Sequence, residues 1–420
     1  MGKILGVSRF VMDSGERFCL VVDRSTMMPL YYPNLYLTTQ LRNRSVAFST
    51  LEAEASHLIV FLRFLDRRHI DLDERLLSRK FFCAHEIDAM CDFAQRKQSK
   101  LSSFIQSNRM LSVDKLEDSF GAVSKGTQYS RLTAIANFFG WYAKHHLERA
   151  EQNVLDQIDS LCEQIKARRP KHKNRTDKGR DKSLSDEQLD VLFEVIRPGS
   201  DLNPFSEAVQ YRNRLMILML FYLGIRGSEL LNIRVRDIKF DKNQIKIERR
   251  ADDKHDPRTN EPNVKTLERL LPLSDVLVKQ IHNYLINDRR KVRVPSNKYN
   301  DFLFLTHKQG PTRGQPISKS AYFKVVAVVR AVSPDLYAMS GHMLRHTWNR
   351  RFSERMDAMA EPPSEARQEQ IRSFAMGWKE GSGTAAIYNH RSVEKKAHEA
   401  ALKMQNDMAV RMPEELRRDV

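Results

Sequence analysis

A histidine and an arginine three residues apart, His342 and Arg345, are the side chains of this sequence best suited to chemistry on an anion. They lie in a segment with helical spacing of apolar residues, and residues three apart share one face of a helix. Two positive groups on one face repel each other unless an anion lies above them, and phosphate is the anion that a guanidinium binds best. The alternative is a partly buried histidine beside a solvated arginine.

A second arginine, Arg226, follows a break in a helix. The apolar segment from Tyr211 to Leu223 predicts a helix that ends at Gly224. Glu229, three residues after Arg226, can hold the guanidinium in place, which would make Arg226 a phosphate clamp. Such an Arg–x–x–Glu pair is also common on ordinary helix surfaces.

The elements around these residues indicate a separate domain. Ser185 starts a capping box ahead of an apolar helix. Residues 244–248 alternate as a strand, and residues 264–273 predict the returning strand with Lys265 at its start. Lysines in hairpins usually face solvent, so Lys265 alone indicates no chemistry. The segment from Val393 to Met412 carries one apolar stripe and predicts a helix that can dock onto a neighbouring subunit.

The composition indicates a polyanionic partner. The 420 residues include 70 Lys and Arg against 53 Asp and Glu, a net charge of +17. Nucleic acid explains this excess better than a membrane, because the sequence has no apolar run of about 20 residues. The N-terminus lacks the apolar region of a secretory signal, so we expect a location in the bacterial cytoplasm or nucleoid. Four scattered cysteines argue against a zinc ribbon or a disulfide framework and are expected to be reduced core residues: Cys19, Cys83, Cys91 and Cys162.

Three further segments precede the domain described above. Residues 1–45 predict a β-hairpin that is either an extra DNA-binding arm or a packing flap. Residues 46–165 predict a helical domain, residues 166–182 a basic linker, and residues 183–392 the domain described above. The linker has nine Lys or Arg against two Asp and can track a phosphate backbone through counterion release. The residues expected to contact DNA there are Arg168, Arg169, Lys171, Lys173 and Arg175. On the exposed faces of the helical domain we expect Lys97, Lys100, Arg109, Lys125, Arg131 and Lys144.

The ordered set of motifs resembles the tyrosine recombinase (phage integrase) family. It consists of Gly224–Leu230, Lys265 ahead of Leu271–Leu273, His342–Thr347, Gly377–Trp378 and Ile387–Tyr388. The resemblance covers about residues 183–400, and the upstream helical domain matches the core-binding domain of the family in size and position only. It implies a mainly α fold with a small β-sheet, in which a helical core-binding domain and a mixed α/β catalytic domain form a C-shaped clamp on DNA.

The resemblance also implies roles for the phosphate-binding residues. Arg226 and Arg345 would clamp the scissile phosphate, and Trp378 would donate a hydrogen bond to one of its oxygens. Tyr388 would be the nucleophile.

The remaining roles concern proton transfer and support. Lys265 would protonate the leaving 5′ oxygen, His342 would manage the tyrosine proton, Glu229 would orient Arg226, and His346 would support the site. The segment from Lys265 to Pro272 is one residue shorter than in the family, so Lys246 is the alternative lysine. The segment from Trp378 to Tyr388 is one residue longer.

This set of side chains is chemically sufficient for transfer of a phosphodiester to a tyrosine. A tyrosine hydroxyl has a pKa of about 10, so it attacks phosphorus only when its proton is accepted and the developing charge is offset. Two arginines, a lysine and an imidazole provide this without a metal or another cofactor. The sequence has no carboxylate cluster suited to Mg²⁺, which disfavours a metal-dependent nuclease or transposase.

We therefore expect a site-specific recombinase of a mobile element, of integrase or excisionase type, that acts on double-stranded DNA through a 3′-phosphotyrosine intermediate. A homotetramer on paired sites would carry out the exchange. The alternatives are a DNA-relaxing enzyme similar to type IB topoisomerases, and a non-catalytic DNA-binding regulator with the same fold.

Overall fold

A computed structural model describes residues 4–97, 121–171, 182–292, 301–379, 397 and 400–405. The chain divides into two compact units, Met1–Arg175 and Thr176–Val420. The division falls inside the segment 166–182, although the last helix of the first unit extends to Ala167. None of the described helices is both long enough and apolar enough to span a bilayer.

The described part of the first unit contains a two-stranded sheet and six helices. These are β1 (Leu5–Val11), β2 (Arg17–Asp23), α1 (Tyr31–Tyr36), α2 (Phe48–Arg67), α3 (Leu72–Leu77), α4 (Ala84–Gln95), α5 (Lys125–His146) and α6 (Gln152–Ala167).

The predicted N-terminal hairpin is confirmed and belongs to the core of the first unit. β1 and β2 are antiparallel, with Leu5 opposite Asp23 and Val11 opposite Arg17. The buried side chains Cys19 and Val21, which share one face of β2, join one apolar cluster with α2 and α5. The hairpin therefore packs on the helices through an apolar face.

Two expectations for the first unit are wrong. Arg131 is buried, with 9% of its surface exposed, because its guanidinium donates hydrogen bonds to the carbonyl oxygens of Ala94 and Arg96 at 2.7 and 2.8 Å. Cys83 is exposed, whereas the other three cysteines are buried. Cys83 is the N-cap residue of α4, and it lies in solvent and not in the core. Lys100 and Arg109 lie outside the described residues.

The described part of the second unit contains a three-stranded sheet and seven helices. These are α7 (Asp186–Val195), α8 (Glu207–Leu223), α9 (Gly227–Asn232), β3 (Ile238–Lys239), β4 (Gln244–Ile247), β5 (Arg269–Pro272), α10 (Asp275–Asn283), α11 (Lys319–Arg330), α12 (Gly341–Asp357) and α13 (Glu365–Met376).

The small sheet is antiparallel in the order β3, β4, β5. Ile245 of β4 pairs with Leu271 of β5, and both point into the core. The predicted return strand is too long, because residues 264–268 form a loop and only Arg269–Pro272 pairs with β4. Lys265 therefore stands in a loop ahead of the strand.

The helix α8 is the centre of the second unit. Apolar side chains cover nearly its whole circumference, and it packs on α12, which carries His342 and Arg345. Ser185 caps α7 as predicted, and its hydroxyl accepts a hydrogen bond from the backbone N–H of Gln188. The helix termini that carry the candidate site are thus attached to one rigid core. Residue 397 and residues 400–405, within the predicted C-terminal helix, are helical.

Candidate active site

Arg226 lies in the break between α8 and α9. Gly224 ends α8 with a φ of +60°, and a Cβ there would lie 2.8 Å from Cγ of Trp348. Only glycine fits this tight left-handed turn, which allows Arg226 to start α9. The Arg226 side chain is 31% exposed, and among the described residues its Nη1 makes no hydrogen bond. Part of the side chain therefore reaches the surface, while Nη1 is a buried donor without a hydrogen bond among the described residues.

Glu229 orients Arg226 chiefly through the backbone. Its Oε2 accepts a hydrogen bond from the Arg226 backbone N–H at 2.9 Å, whereas its Oε1 is 3.7 Å from Nη1 of Arg226. The predicted contact is present, but it is a long ion pair.

The principal partner of Glu229 is Arg269, which the sequence interpretation missed. Nη2 of Arg269 donates to Oε2 of Glu229 at 3.0 Å, and both side chains are at most 1% exposed. The Thr266 hydroxyl donates to Oε1 of Glu229. Burial alone would raise the pKa of Glu229, but the positive charges of Arg269 and Arg345 hold the pKa below its ordinary value. Glu229 is therefore an ionised carboxylate inside the protein.

The predicted partner of Arg226, Arg345, is fixed in the interior. It is 1% exposed, and it donates to the carbonyl oxygens of Gly224 at 2.7 Å and Met376 at 3.1 Å. These two bonds connect α12 to the break after α8 and to the end of α13. Because the Gly224 carbonyl is two residues from Arg226, the structure brings the two arginines to one place.

His342 lies one turn before Arg345 on α12 and is exposed. Desolvation of its ring, together with the charges of Arg345 and Arg226, lowers the pKa of His342 below the ordinary 6.5. The imidazole is thus neutral near pH 7 and can accept a proton. His346 packs edge-to-face against it, with 4.6 Å between the ring centroids.

Tyr322 of α11 holds the first turns of α9 and α12, and no sequence motif indicated it. An added Cβ at Gly227 would lie 2.7 Å from the Tyr322 ring, and one at Gly341 would lie 1.9 Å from its hydroxyl oxygen. Glycine is required at both positions because the ring occupies the space. Burial raises the pKa of Tyr322 to about 12, so its phenol stays protonated.

Trp378 follows α13 and joins the arginine cluster. It is 6% exposed, and its ring centroid is 5.4 Å from Cζ of Arg345. Gly377 ends α13 with a φ of +63°, and a Cβ there would lie 2.7 Å from Nη1 of Arg269. The backbone N–H of Leu267 donates to the Gly377 carbonyl at 2.9 Å, so the Lys265 loop and the Trp378 segment are joined.

The two candidate lysines differ in their environment. Lys246, on β4, lies 3.3 Å from a carboxylate oxygen of Glu248 and 3.8 Å from one of Glu268. Lys265 is exposed, and in the described parts of the chain it forms no ion pair. Its neighbour Thr266 binds Glu229, which ties the Lys265 loop to the arginine site.

Other predicted residues have different surroundings. Tyr388 lies outside the described residues, as do Lys173 and Arg175 of the linker. Arg168 pairs with Asp88, and the guanidinium of Arg169 lies 4.6 Å from the ring centroid of Tyr129. Lys171 is exposed.

One group of metal-ligating side chains occurs among the described residues, and it is in the first unit. It consists of Cys83, His85 and Glu86, at the start of α4. The sequence interpretation named no metal ligands.

Comparison with known proteins decides the family. The model of the phage integrase family matches residues 182–395, which is half of the chain and includes every motif that carries the resemblance described above. The chain belongs to the phage integrase family.

Relatives of this integrase-family chain include recombinases of the Xer type. The tyrosine recombinase XerD of Halalkalibacterium halodurans is 25% identical over 168 residues, which cover 40% of this chain and 46% of that protein. XerD of Listeria innocua is 25% identical over 137 residues, 33% of this chain and 39% of the relative. The chain thus spans less than half the length of these two relatives. XerC of Roseiflexus castenholzii is 22% identical over 286 residues, 67% of this chain and 76% of that protein.

Solved structures with related folds include two DNA complexes. The XerH recombinase bound to difH substrate in a pre-cleavage complex has a TM-score of 0.48 and 16% identity, covering 88% of this chain and 85% of that one. The Tn1549 transposon integrase with circular intermediate DNA has a TM-score of 0.47 and 16% identity, covering 86% of this chain and 94% of that one.

Proposed function

We propose that this phage integrase family member is a site-specific DNA recombinase of a mobile element, acting on double-stranded DNA in a bacterial cytoplasm. One observation carries the proposal: the buried guanidinium of Arg345 binds the carbonyl oxygen of Gly224, two residues before the partly exposed Arg226, and these two charges help to lower the pKa of His342. Two fixed positive groups next to a proton acceptor suit a phosphodiester under attack by a hydroxyl.

The proposed reaction is a transfer of the phosphodiester to Tyr388. The tyrosine oxygen attacks phosphorus, the bond from phosphorus to the 5′ oxygen breaks, and a 3′-phosphotyrosine ester forms. His342 accepts the phenol proton, while Arg226 and Arg345 offset the charge on the pentavalent phosphorus. Lys265 donates a proton to the departing 5′ oxygen.

Strand exchange follows from the energy retained in the ester. A 5′ hydroxyl of a partner strand can attack the phosphotyrosine and release Tyr388, so the exchange consumes no ATP and no cofactor. Trp378 stacks beside Arg345 and supports the phosphate-binding position.

For the whole molecule we propose that the two units have different functions. Residues 46–165 form the core DNA-binding domain and residues 183–392 the catalytic domain, with basic residues of segment 166–182 along the DNA backbone. The C-terminal segment 393–420 docks onto a neighbouring protomer, and a homotetramer assembles on paired sites.

A capture experiment tests this function. The full chain is incubated with a plasmid library of DNA fragments from its source organism, the mixture is denatured, and DNA that stays attached to protein is sequenced. The proposal predicts attachment at one short sequence, with the protein on the 3′ phosphate and a free 5′ hydroxyl.

Two other outcomes would contradict the proposal. Attachment without sequence preference, combined with relaxation of supercoiled plasmid by the monomer, would indicate a topoisomerase-like enzyme. Sequence-specific binding with no covalent attachment would indicate a regulator.

A further inference from the structure

The first unit contains a cleft of about 870 Å³ in which cations are concentrated. It lies where the outer side of β1 meets α2 and the segments at Lys97 and Val123, which adjoin α4 and α5. Among the described residues, no carboxylate lines it. Its charged side chains are Arg9, Arg24, Arg63, Lys97 and Arg131.

Four of these five cations lack a negative partner. Arg9 pairs with Glu52, which is just outside the cleft. In the described part of the chain, none of the other four forms an ion pair with a carboxylate. Burial, together with the charge of nearby Arg24, lowers the pKa of Arg63. The fold thus maintains a cluster of like charges that repel each other.

Two of the cations, Arg63 and Arg131, donate hydrogen bonds to backbone carbonyl groups. The Arg24 side chain lies across Gly6, where an added Cβ would be 2.0 Å from its Nε. Arg63 donates to the carbonyl oxygen of Leu5 at 3.1 Å, and Arg131 is fixed by its two carbonyl bonds. Because Arg63 and Arg131 are fixed by these bonds, a ligand would not have to immobilise them, which favours binding.

We propose that this cleft binds phosphate groups of the DNA backbone, so that the N-terminal hairpin contributes a DNA contact together with the helices. An uncompensated cluster of guanidinium and ammonium groups fits phosphodiesters, which are anionic at all relevant pH values. The inference rests on the proposed function only in taking DNA as the ligand. It gives the hairpin a binding role that depends on its packing against α2.

The salt dependence of DNA binding tests the cleft directly. The full chain and its Arg24→Gln/Lys97→Gln variant are titrated into a fluorescein-labelled duplex, and the anisotropy is followed at several salt concentrations. Each phosphate contact contributes about 0.9 to the slope of log Kd against log salt concentration. We expect the slope of the double variant to be shallower by about 2, with weaker binding throughout.

Matched variants separate the cleft from a general charge effect. Lys80→Gln removes an exposed cation of the same unit that does not line the cleft, and its slope should equal that of the parent protein. Arg24→Lys/Lys97→Arg keeps both charges and should restore the slope. Circular dichroism establishes that each variant is folded.

Three results would overturn the inference. One is a folded double variant with the parent slope. Another is a Lys80→Gln variant whose slope becomes as shallow as that of the double variant. The third comes from calorimetry with inorganic phosphate: if the double variant loses phosphate binding but keeps the parent slope on DNA, the ligand is a small phosphate compound. The proposed function fails separately, if the parent protein binds DNA with a steep slope but never forms a covalent complex.

Discussion

The Glu229 carboxylate supports the arginines that we propose to bind phosphate. It is ionised, buried and opposed to Arg269 at 3.0 Å, and it also holds the backbone N–H of Arg226. Removing one charge of such a pair leaves the other uncompensated, which costs about 3–5 kcal/mol. We expect Glu229→Gln to lower the free energy of unfolding by about that amount and to abolish covalent attachment to DNA.

Urea unfolding followed by circular dichroism measures this effect. The matched control is Glu354→Gln, because Glu354 is 59% exposed and pairs with Arg350 at 3.6 Å. An exposed pair of this kind contributes less than about 1 kcal/mol. If both variants lost an equally small free energy of unfolding, the buried pair of Glu229 and Arg269 would not be needed for stability.

The leaving-group proton distinguishes Lys265 from Lys246. A general acid accelerates a reaction by about 10²–10⁴-fold, and the acceleration is lost when the leaving group needs no proton. We predict that Lys265→Ala slows cleavage of normal DNA by that factor. The variant should cleave at near the parent rate a substrate in which sulfur replaces the bridging 5′ oxygen, because a thiolate leaves unprotonated.

Single-turnover cleavage rates on both substrates provide the measurement, with Lys246→Ala as the control. Lys246 has Glu248 and Glu268 as partners, so its removal should leave the ratio of the two rates unchanged. Rescue of Lys246→Ala by sulfur, and not of Lys265→Ala, would reverse the assignment.

At the scale of elements, the end of α13 positions Trp378 by means of Gly377. A residue other than glycine in the left-handed conformation costs about 1–2 kcal/mol. A Cβ at Gly377 would in addition lie 2.7 Å from Nη1 of Arg269 and 2.8 Å from the Leu267 carbonyl, which adds about 1–3 kcal/mol of overpacking. Gly377→Ala should therefore lower the free energy of unfolding by the sum of the backbone cost and the overpacking cost. It should also slow the cleavage of DNA.

Gly199 offers a clean comparison for this prediction. It has a φ of +77°, and an added Cβ there would meet nothing within 4 Å. Gly199→Ala should lower the free energy of unfolding only by the cost of the left-handed backbone conformation, and it should leave the rate of DNA cleavage unchanged. The difference between the two free energies of unfolding isolates the packing at Gly377, and no difference would contradict this account of the α13 terminus.

The elements differ in how far the sequence specified them. A helix start with a capping serine, such as Ser185, is determined by adjacent residues, so the local sequence pattern was enough to predict it. The return strand was predicted to begin at residue 264, but Thr266 and Leu267 bind Glu229 and Gly377, and these contacts take the backbone out of the sheet. Arg269 was missed for the same reason, since its partner is 40 residues away along the chain. Contacts of this range depend on tertiary structure and leave no periodicity in the sequence.

The whole molecule combines a net charge of +17 with two half-buried histidines whose pKa is strongly lowered, His57 and His307. Burial is the main cause that lowers the pKa of His57 in the first unit and of His307 in the second to about 4. In the unfolded chain both titrate at about 6.5. Between these values the unfolded state binds more protons, so stability is complete above pH 6.5 and decreases as the pH falls towards 4.

Thermal unfolding at a series of pH values checks this prediction. The Tm should decrease below pH 6.5, and His57→Gln should make the decrease smaller. The control is His145→Gln, which removes an exposed histidine of the same unit, and its Tm is measured over the same pH series. An identical pH dependence in His57→Gln and the parent protein would show that His57 is not buried in the neutral form.

The central claim is that Tyr388 attacks the DNA phosphate between Arg226 and Arg345. Its most direct test is mass spectrometry of the protease-digested covalent complex, which identifies the peptide that carries the nucleotide. We predict a nucleotide linked through its 3′ phosphate to Tyr388, and no covalent complex from a Tyr388→Phe variant that still binds DNA. A nucleotide on another residue, or a covalent complex formed by Tyr388→Phe, would contradict the account.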